Sequence, residues 1–405
     1  MSRVVELSVE SKIVEEARKL EQQIVEWRRD FHMHPELAYE EVRTSGVVEK
    51  ELRSLGYKVV RAAKTGVIGV MKCGEGPTIA LRADMDALPV TEENDVPYKS
   101  RVPGKMHACG HDAHTAMLLG AARVLVGVKD SLKGTVKLIF QPGEEGGLGA
   151  KRIVEEGHLD DVDAVIGLHV WAEMPSGVIG IREGPLLASA DAFKVTIKGR
   201  GGHAAMPHLS VDPIACAVDL VNAYQKIITR EINPLEPAVI SVACIKAGET
   251  FNVIPEKAEM LGTIRTFNEE VRNFIIERMK KITREIAGAM RCEGEFELTK
   301  EYIPPTVNDP RLARIARETL KPLGKIVEPK PTMGAEDFAF YTKKAPGLFV
   351  LLGIRNEKKG IIYPHHHPKF DVDEDVLWMG TAIYALLAYK LLHHTSPLVR
   401  IIEES

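Results

Sequence analysis

Residues 134–170, "GTVKLIFQPGEEGGLGAKRIVEEGHLDDVDAVIGLHV", carry the pattern that decides the fold. "GTVKLIFQP" is an apolar run of strand length, "GAKRIVEEG" has helical spacing and stops at Gly157, and "DAVIGLHV" is the next strand. Two strands bridged by a helix lie parallel, so the stretch predicts a mostly parallel sheet with helices on both faces.

The same alternation continues on either side. Upstream, residues 11 to about 56 have a helical pattern with Ile13, Leu20, Ile24 and Trp27 on one face, and "TIALRADMDALPV" (78–90) begins as a buried strand and ends in an acidic loop. "AHTAMLLGAARVLVG" (113–127) is apolar over a helical length, with Asp112 placed as its N-cap.

Between about 190 and 300 the rhythm changes. "AFKVTIKG" alternates as a half-exposed strand, and a helix follows from the cap-like Asp212. Two strands come next, "PAVISVACIKAG" and "AEMLGTIRTF", then a second helix from residue 268 and a last strand, "EFELTKEYI". That order is β-α-β-β-α-β, the split ferredoxin-like unit. The helix "RLARIARETLKPL", the strand "LFVLLGI" and a closing helix from about 373 to 393 then resume the first pattern. The expected architecture is α/β, with a mostly parallel sheet in a discontinuous outer domain (1–188 and 303–405) and a ferredoxin-like domain (189–302) inserted into it.

A chain of 405 residues is too long for one core, which stops growing at roughly 250–300 residues, so two domains suit it. Its net charge of −4, with no basic stripe, argues against a nucleic-acid partner. The first twenty residues lack an apolar signal core and no run of about 18 apolar residues occurs, so no membrane partner is expected and the protein is read as cytoplasmic. Five scattered cysteines do not suit a disulfide framework and leave Cys109 free for metal or catalytic chemistry. Few Asn and Gln beside many Lys and Glu point to a heat-adapted chain.

Metal-binding types of side chain cluster at the ends of the strands, the edge where open α/β sheets take ligands. They are Asp84 and Asp86, the segment "MHACGHDAH" (106–114), Glu144 with Glu145, and His169; "YPHHHPKF" (363–370) returns from the far half of the same domain. Cys109 and His111 are two apart, which in an extended loop lets both grip one ion. His107, Asp112 and His114 cannot crowd into the same shell and are expected as caps or as partners that fix ligand tautomers.

Glu144 and Glu145 follow Pro142 and Gly143 on a turn where adjacent side chains diverge, so one carboxylate can bind metal while the other takes a proton from water. A solvated acidic turn is the ordinary explanation of such a pair; the ligands at the next strand argue against it. His169 closes an apolar run at a strand's end. The residues alone do not choose among His365, His366 and His367, which Pro364 and Pro368 stiffen from both sides. A non-catalytic protein with a structural metal site is the competing reading. Structural zinc is closed by four protein ligands and needs no base, so Glu144 and a ligand set large enough for two ions favour an enzyme.

The set "RADMDALP", "HACGHDAHTAM", "QPGEEGGLGA", "GLHV", "GRGGHAAMPH", "NVIPEKAEMLGTIRT", "GAEDFAFY" and "HHHPKFDVDE" resembles the M20 metallopeptidase family, in the subfamily of aminoacylases, hippurate hydrolases, auxin-conjugate hydrolases and related carboxypeptidases. The resemblance runs in order from about residue 30 to about 385. It implies hydrolysis of an N-acyl amino acid or a short peptide with one or two divalent ions (Zn, Co, Mn or Ni) held by Cys109, His111, Glu145, His169 and His366, and Glu144 as general base. His365 is the alternative to His366 if the pattern slips by one residue. The resemblance also implies that His203 reaches the metal centre from the inserted domain, that Asn252 and Arg265 hold the substrate carboxylate, and that Asp84 and Asp86 orient ligand histidines. Glu336 falls in a family segment near the site, without a specified role. In relatives the inserted domain makes the dimer contacts, so a homodimer or homotetramer is implied.

Overall fold

Residues 134–170 form the strand Thr135–Gln141, the helix Gly149–Glu155 and the strand Ala164–Pro175 in a computed structural model, which describes residues 8–394. The terminal stretches 1–7 and 395–405, counted in the outer domain by sequence, lie outside the described residues. Eight strands make one sheet, in the order Lys58–Ala62, Gly66–Lys72, Thr135–Gln141, Thr78–Asp84, Ala164–Pro175, Gly347–Arg355, Ile179–Gly180, Ile326–Val327. The four middle strands, from Thr135–Gln141 to Gly347–Arg355, run parallel. They are built from Val, Ile, Leu and Ala and are buried along nearly their whole length, as a sheet covered by helices on both faces requires.

The helical pattern near the start divides into three helices, Val9–Lys19, Glu21–Met33 and Val42–Ser54. Leu20 ends the first of them, and an irregular segment at 34–41 separates the last two, where Leu37 bridges to Ala87. Pro35 and the left-handed backbone of Tyr39 (φ +63°) explain why no helix continues through it. Two further helices, His111–Gly127 and Leu377–Leu392, are buried almost all round and pack on each other, with Thr381 Oγ1 donating to Met117 O at 2.9 Å. Residues Glu374–Leu392 are long and apolar enough to cross a membrane, but most of them lie inside this core.

Residues 187–306 with 331–336 form a second compact unit around its own core, which includes Phe193, Val195, Leu220, Tyr224, Met260 and Met279. Its antiparallel sheet has the order Ala238–Ala247, Lys257–Thr266, Asp191–Lys198, Glu293–Leu298. Asp212 and Asn268 cap its helices Pro213–Lys226 and Glu269–Ala289, each accepting two backbone N–H bonds, so the β-α-β-β-α-β succession is present. Pro331–Glu336, placed in the outer domain by sequence, clusters with this unit because Ala188 N donates to Thr332 O and Gly334 O.

Candidate metal centre

At the carboxyl ends of the parallel strands two sets of donor atoms share one thiol. Those of Cys109, His111 and His169 lie within 4.8 Å of one another, and so do those of Cys109, Glu145 and His366. Cys109 Sγ is 3.5 Å from His169 Nε2, and Glu145 Oε1 is 3.1 Å from His366 Nε2.

Local backbone brings Cys109 and His111 together in a way the sequence did not predict. The segment is not an extended loop: Gly110 is the N-cap of the helix His111–Gly127 at φ +93°, and a Cβ there would sit 2.4 Å from Val170 Cγ2. Only glycine can turn the chain so tightly against the next strand, and the turn swings the first helical residue back beside the thiol. Asp112 is therefore inside the first turn and not its cap; it faces Arg28 and His32 instead, at 2.9 and 2.7 Å. His169 lies within the long strand Ala164–Pro175 rather than at its end. Pairing with Thr78–Asp84 stops at Arg82 opposite Gly167, so His169 still emerges level with that strand's end.

Hydrogen bonds sort the histidines. His111 donates from Nδ1 to Asp86 O at 2.9 Å, leaving Nε2 buried and without a hydrogen-bond partner. His169 donates from Nδ1 to Val170 O at 2.6 Å, which turns Nε2 toward Cys109. His114 accepts from Val170 N–H at Nε2 (2.9 Å), so Nδ1 carries the proton given to Asp84 (2.6 Å) and neither nitrogen is left for a metal. His365 accepts from Ala172 N–H at Nε2 (3.2 Å) and packs against the rings of His169, Trp171 and Phe370, whereas His366 is half exposed beside Glu145. His107 is buried, with neither ring nitrogen hydrogen-bonded.

Asp84 and Asp86 work from behind. Asp84 is buried between Arg82 (2.7 Å) and His114, with His111 Nε2 at 3.7 Å. Asp86 accepts the backbone N–H of Glu144 at Oδ1 (3.0 Å) and of Glu145 at Oδ2 (2.9 Å), so one carboxylate fixes the turn on which the two glutamates diverge. Asp337 N lies 3.5 Å from Glu144 Oε1, while the Asp337 carboxylate is held by Arg82, Gln141 and Ala150 N.

The electrostatics fit divalent ions. Burial pushes His111 down, but Asp84 and Asp86 outweigh it and raise the imidazole to about 10, which marks a place that wants a cation. Burial and the carboxylates Glu145, Glu144 and Asp84 push the Cys109 thiol well up, an arrangement that stores negative charge for a metal to offset. Thiol, imidazole and carboxylate together suit Zn, Co, Mn or Ni.

Burial also pushes the Glu41 carboxyl, next to this turn, up to about 7 from 4.5; Asp86 adds to the rise while Thr65 opposes it. Folding then takes up a proton between those values, so stability present below the lower one is lost as pH rises through the upper one. In Glu41→Gln that loss disappears. The melting temperature of the variant relative to wild type is expected to rise between about pH 5 and pH 8, and parallel profiles over that range would contradict it.

The other candidates lie in the inserted unit. His203 is exposed on the short strand Gly202–His203, paired with Val253–Ile254, and Asn252 accepts at its backbone O from Ala204 N (3.1 Å), so the two residues share one end of that unit. Arg265, on Lys257–Thr266, contacts Ile264 O and Thr263 Oγ1. Glu336 belongs to the same unit and is buried, its carbonyl accepting from Thr306 Oγ1 at 3.3 Å. Sequence reasoning passed over Arg28, Tyr39, Glu41, Arg82 and Asp337; of these Arg82 and Asp337 sat in stretches already singled out, "RADMDALP" and "GAEDFAFY".

Thiol, imidazole and carboxylate donors beside a second carboxylate, on the edge of a parallel sheet, define the class as a metallohydrolase. The chain belongs to peptidase family M20/M25/M40, whose pattern matches residues 80–390. Thermostable carboxypeptidase 2 of Saccharolobus solfataricus is 46% identical over 384 residues, 94% of this chain and 98% of that protein. N-acetylcysteine deacetylase of Bacillus subtilis is 42% identical over 373 residues, 91% of this chain and 97% of that one. The solved structure of the Bacillus subtilis YXEP protein, a dinuclear metal binding peptidase from the M20 family, is 38% identical with a TM-score of 0.82, over 93% of this chain and 99% of that one. The protein is a metal-dependent hydrolase of amide or peptide bonds.

Proposed function

We propose that the protein hydrolyses N-acyl amino acids or the last peptide bond of short peptides, and that Cys109 is shared between two divalent ions. One observation carries this reading: the two donor sets meet at Cys109, and Glu144 lies with His111 and Glu145 in a third set of the same size. Cys109, His111 and His169 would hold one ion, and Cys109, Glu145 and His366 the other. When bound, such ions supply Lewis acidity and make a bound water acidic near neutral pH.

Glu144 takes the proton of the attacking water on a carboxylate oxygen and returns it to the departing amine nitrogen. His203 donates to the oxyanion that forms on the scissile carbonyl. Asn252 and Arg265 hold the substrate's free carboxylate, a task suited to a guanidinium fork. Asp84, through His114 and Arg82, and Asp86, through His111 and the Glu144–Glu145 turn, keep these groups in place. Composition adds a heat-adapted, cytoplasmic setting to the proposal.

The inserted unit is proposed as a lid and as the contact that makes a homodimer or homotetramer. Its end strand Ala238–Ala247 has one unpaired side, and Ile214 and Val218, one helical turn apart, are exposed with Ile245. A long exposed strand edge favours pairing with a second copy. A panel of N-acetyl and N-benzoyl amino acids, short peptides and their carboxyl-amidated forms, run with Zn, Co, Mn and Ni, tests the reading. Turnover is expected only with a free carboxylate; equal turnover of amidated substrates would remove the role given to Arg265, and no turnover at all would overturn the substrate class.

A further inference from the structure

The turn that carries Glu144 and Glu145 is gripped from outside by a segment to which the roles above assign nothing. Glu41, fully buried, accepts from Gly143 N–H at Oε1 (2.9 Å) and from Thr65 Oγ1–H at Oε2 (2.6 Å). Two residues earlier, the Tyr39 hydroxyl donates to Gly147 O at 2.5 Å. Its ring lies so close that a Cβ on Gly143 or Gly147 would come within 3.2 or 2.9 Å of it. Lys64 and Arg152 stand 4.8 and 4.7 Å from the ring centre and fix its plane.

The turn needs such support. Gly143 (φ +62°), Glu145 (ψ 66°) and Leu148 (φ +55°) all depart from helical geometry, so no regular ladder holds residues 143–148. Asp86 ties its middle, and residues 39–41 tie both its ends. The grip is costly: an aromatic residue in the left-handed region and a buried carboxylate raised to about 7 both persist only where surrounding structure enforces them.

We propose that Tyr39 and Glu41 are positioning residues of the hydrolytic reaction, which hold the Gly143–Gly147 turn so that Glu144 and Glu145 stay in register with each other. The inference rests on the roles proposed above for those two glutamates. Displacement of a reacting group by about 1 Å costs on the order of a hundredfold in rate, so a segment that touches neither substrate nor metal can control turnover.

The test uses metal-loaded full-length enzyme and an N-acetyl amino acid that the wild type hydrolyses, with Tyr39→Phe, Glu41→Ala, Glu41→Gln and Glu144→Gln compared. Tyr39→Phe is expected to lower kcat about tenfold and Glu41→Ala about a hundredfold, with KM within about twofold and metal per chain unchanged. Glu41→Gln, which keeps an acceptor for Gly143 N–H, is expected to recover to within about fivefold of wild type. A displaced base also moves the acid limb of the kcat–pH profile of Glu41→Ala, which a merely structural defect would not do. Unchanged kcat per metal-loaded site in Tyr39→Phe and Glu41→Ala, beside an inactive Glu144→Gln, overturns the positioning role alone; an active Glu144→Gln overturns the parent reading. If Glu41→Ala does not fold, Tyr39→Phe decides the matter.

Discussion

Glu144→Gln is expected to lower kcat by about three orders of magnitude, while metal content and melting temperature stay near those of wild type. The substitution is isosteric. It leaves the Glu144 N–H bond to Asp86 and all five proposed metal-holding side chains in place, and exchanges a charged carboxylate for a neutral amide that can neither accept nor return a proton. Because substrate contacts are unchanged, KM should move little and the loss should appear in kcat. Metal analysis alongside single-turnover rates checks it; turnover within tenfold of wild type would remove Glu144 from the role of base.

The second large effect is on stability. The Arg28 side chain is fully buried and binds Asp112 from Nε (2.9 Å), Asp371 from Nη2 (2.7 Å) and Glu374 from Nη1 (3.2 Å). Burial would raise the Asp112 carboxyl, but Arg28 and His32 hold it far below the usual carboxylate range. Arg28→Met fills the space but leaves the buried Asp112 with His32 as its remaining cationic partner, while Glu374 keeps Arg29 and Asp371 keeps Tyr98. Removing the shared buried charge is expected to cost about 3–5 kcal/mol. The same group joins the helix that begins at His111 to the loop after His366, so the ion site at Cys109, Glu145 and His366 should loosen as well. Denaturant unfolding of metal-loaded protein with a parallel metal titration measures both. A loss under 1 kcal/mol would show that water and the remaining partners His32, Tyr98 and Arg29 hold the acids at little cost.

The outline of this molecule was legible because its signals are local. Strand-helix-strand periodicity marks the parallel sheet, and the change to alternating strands near residue 190 marks the inserted unit. Cys109, His111 and Glu145 stand out as candidates because each falls in a dense polar motif beside an apolar strand, and His169 because it closes an apolar run. What could not be read depends on partners distant in sequence or on backbone shape. Asp112 looks like a cap because its partner Arg28 lies 84 positions away, and Tyr39 and Glu41 carry no local signal because the turn they hold is about a hundred positions downstream. The helix start at Gly110 depends on a left-handed glycine packed against Val170, which spacing does not encode. His365 and His366 are equivalent as letters and differ only once Ala172 N–H occupies one of them.

Anomalous diffraction from crystals of the metal-loaded protein, collected at the edge of the bound metal, tests the central claim most directly. Two ions are predicted, both bonded to Cys109 Sγ, one also to His111 and His169 and the other to Glu145 and His366. A single ion closed by four protein ligands, with Glu144 remote from it, would contradict that claim and return the site to a structural role.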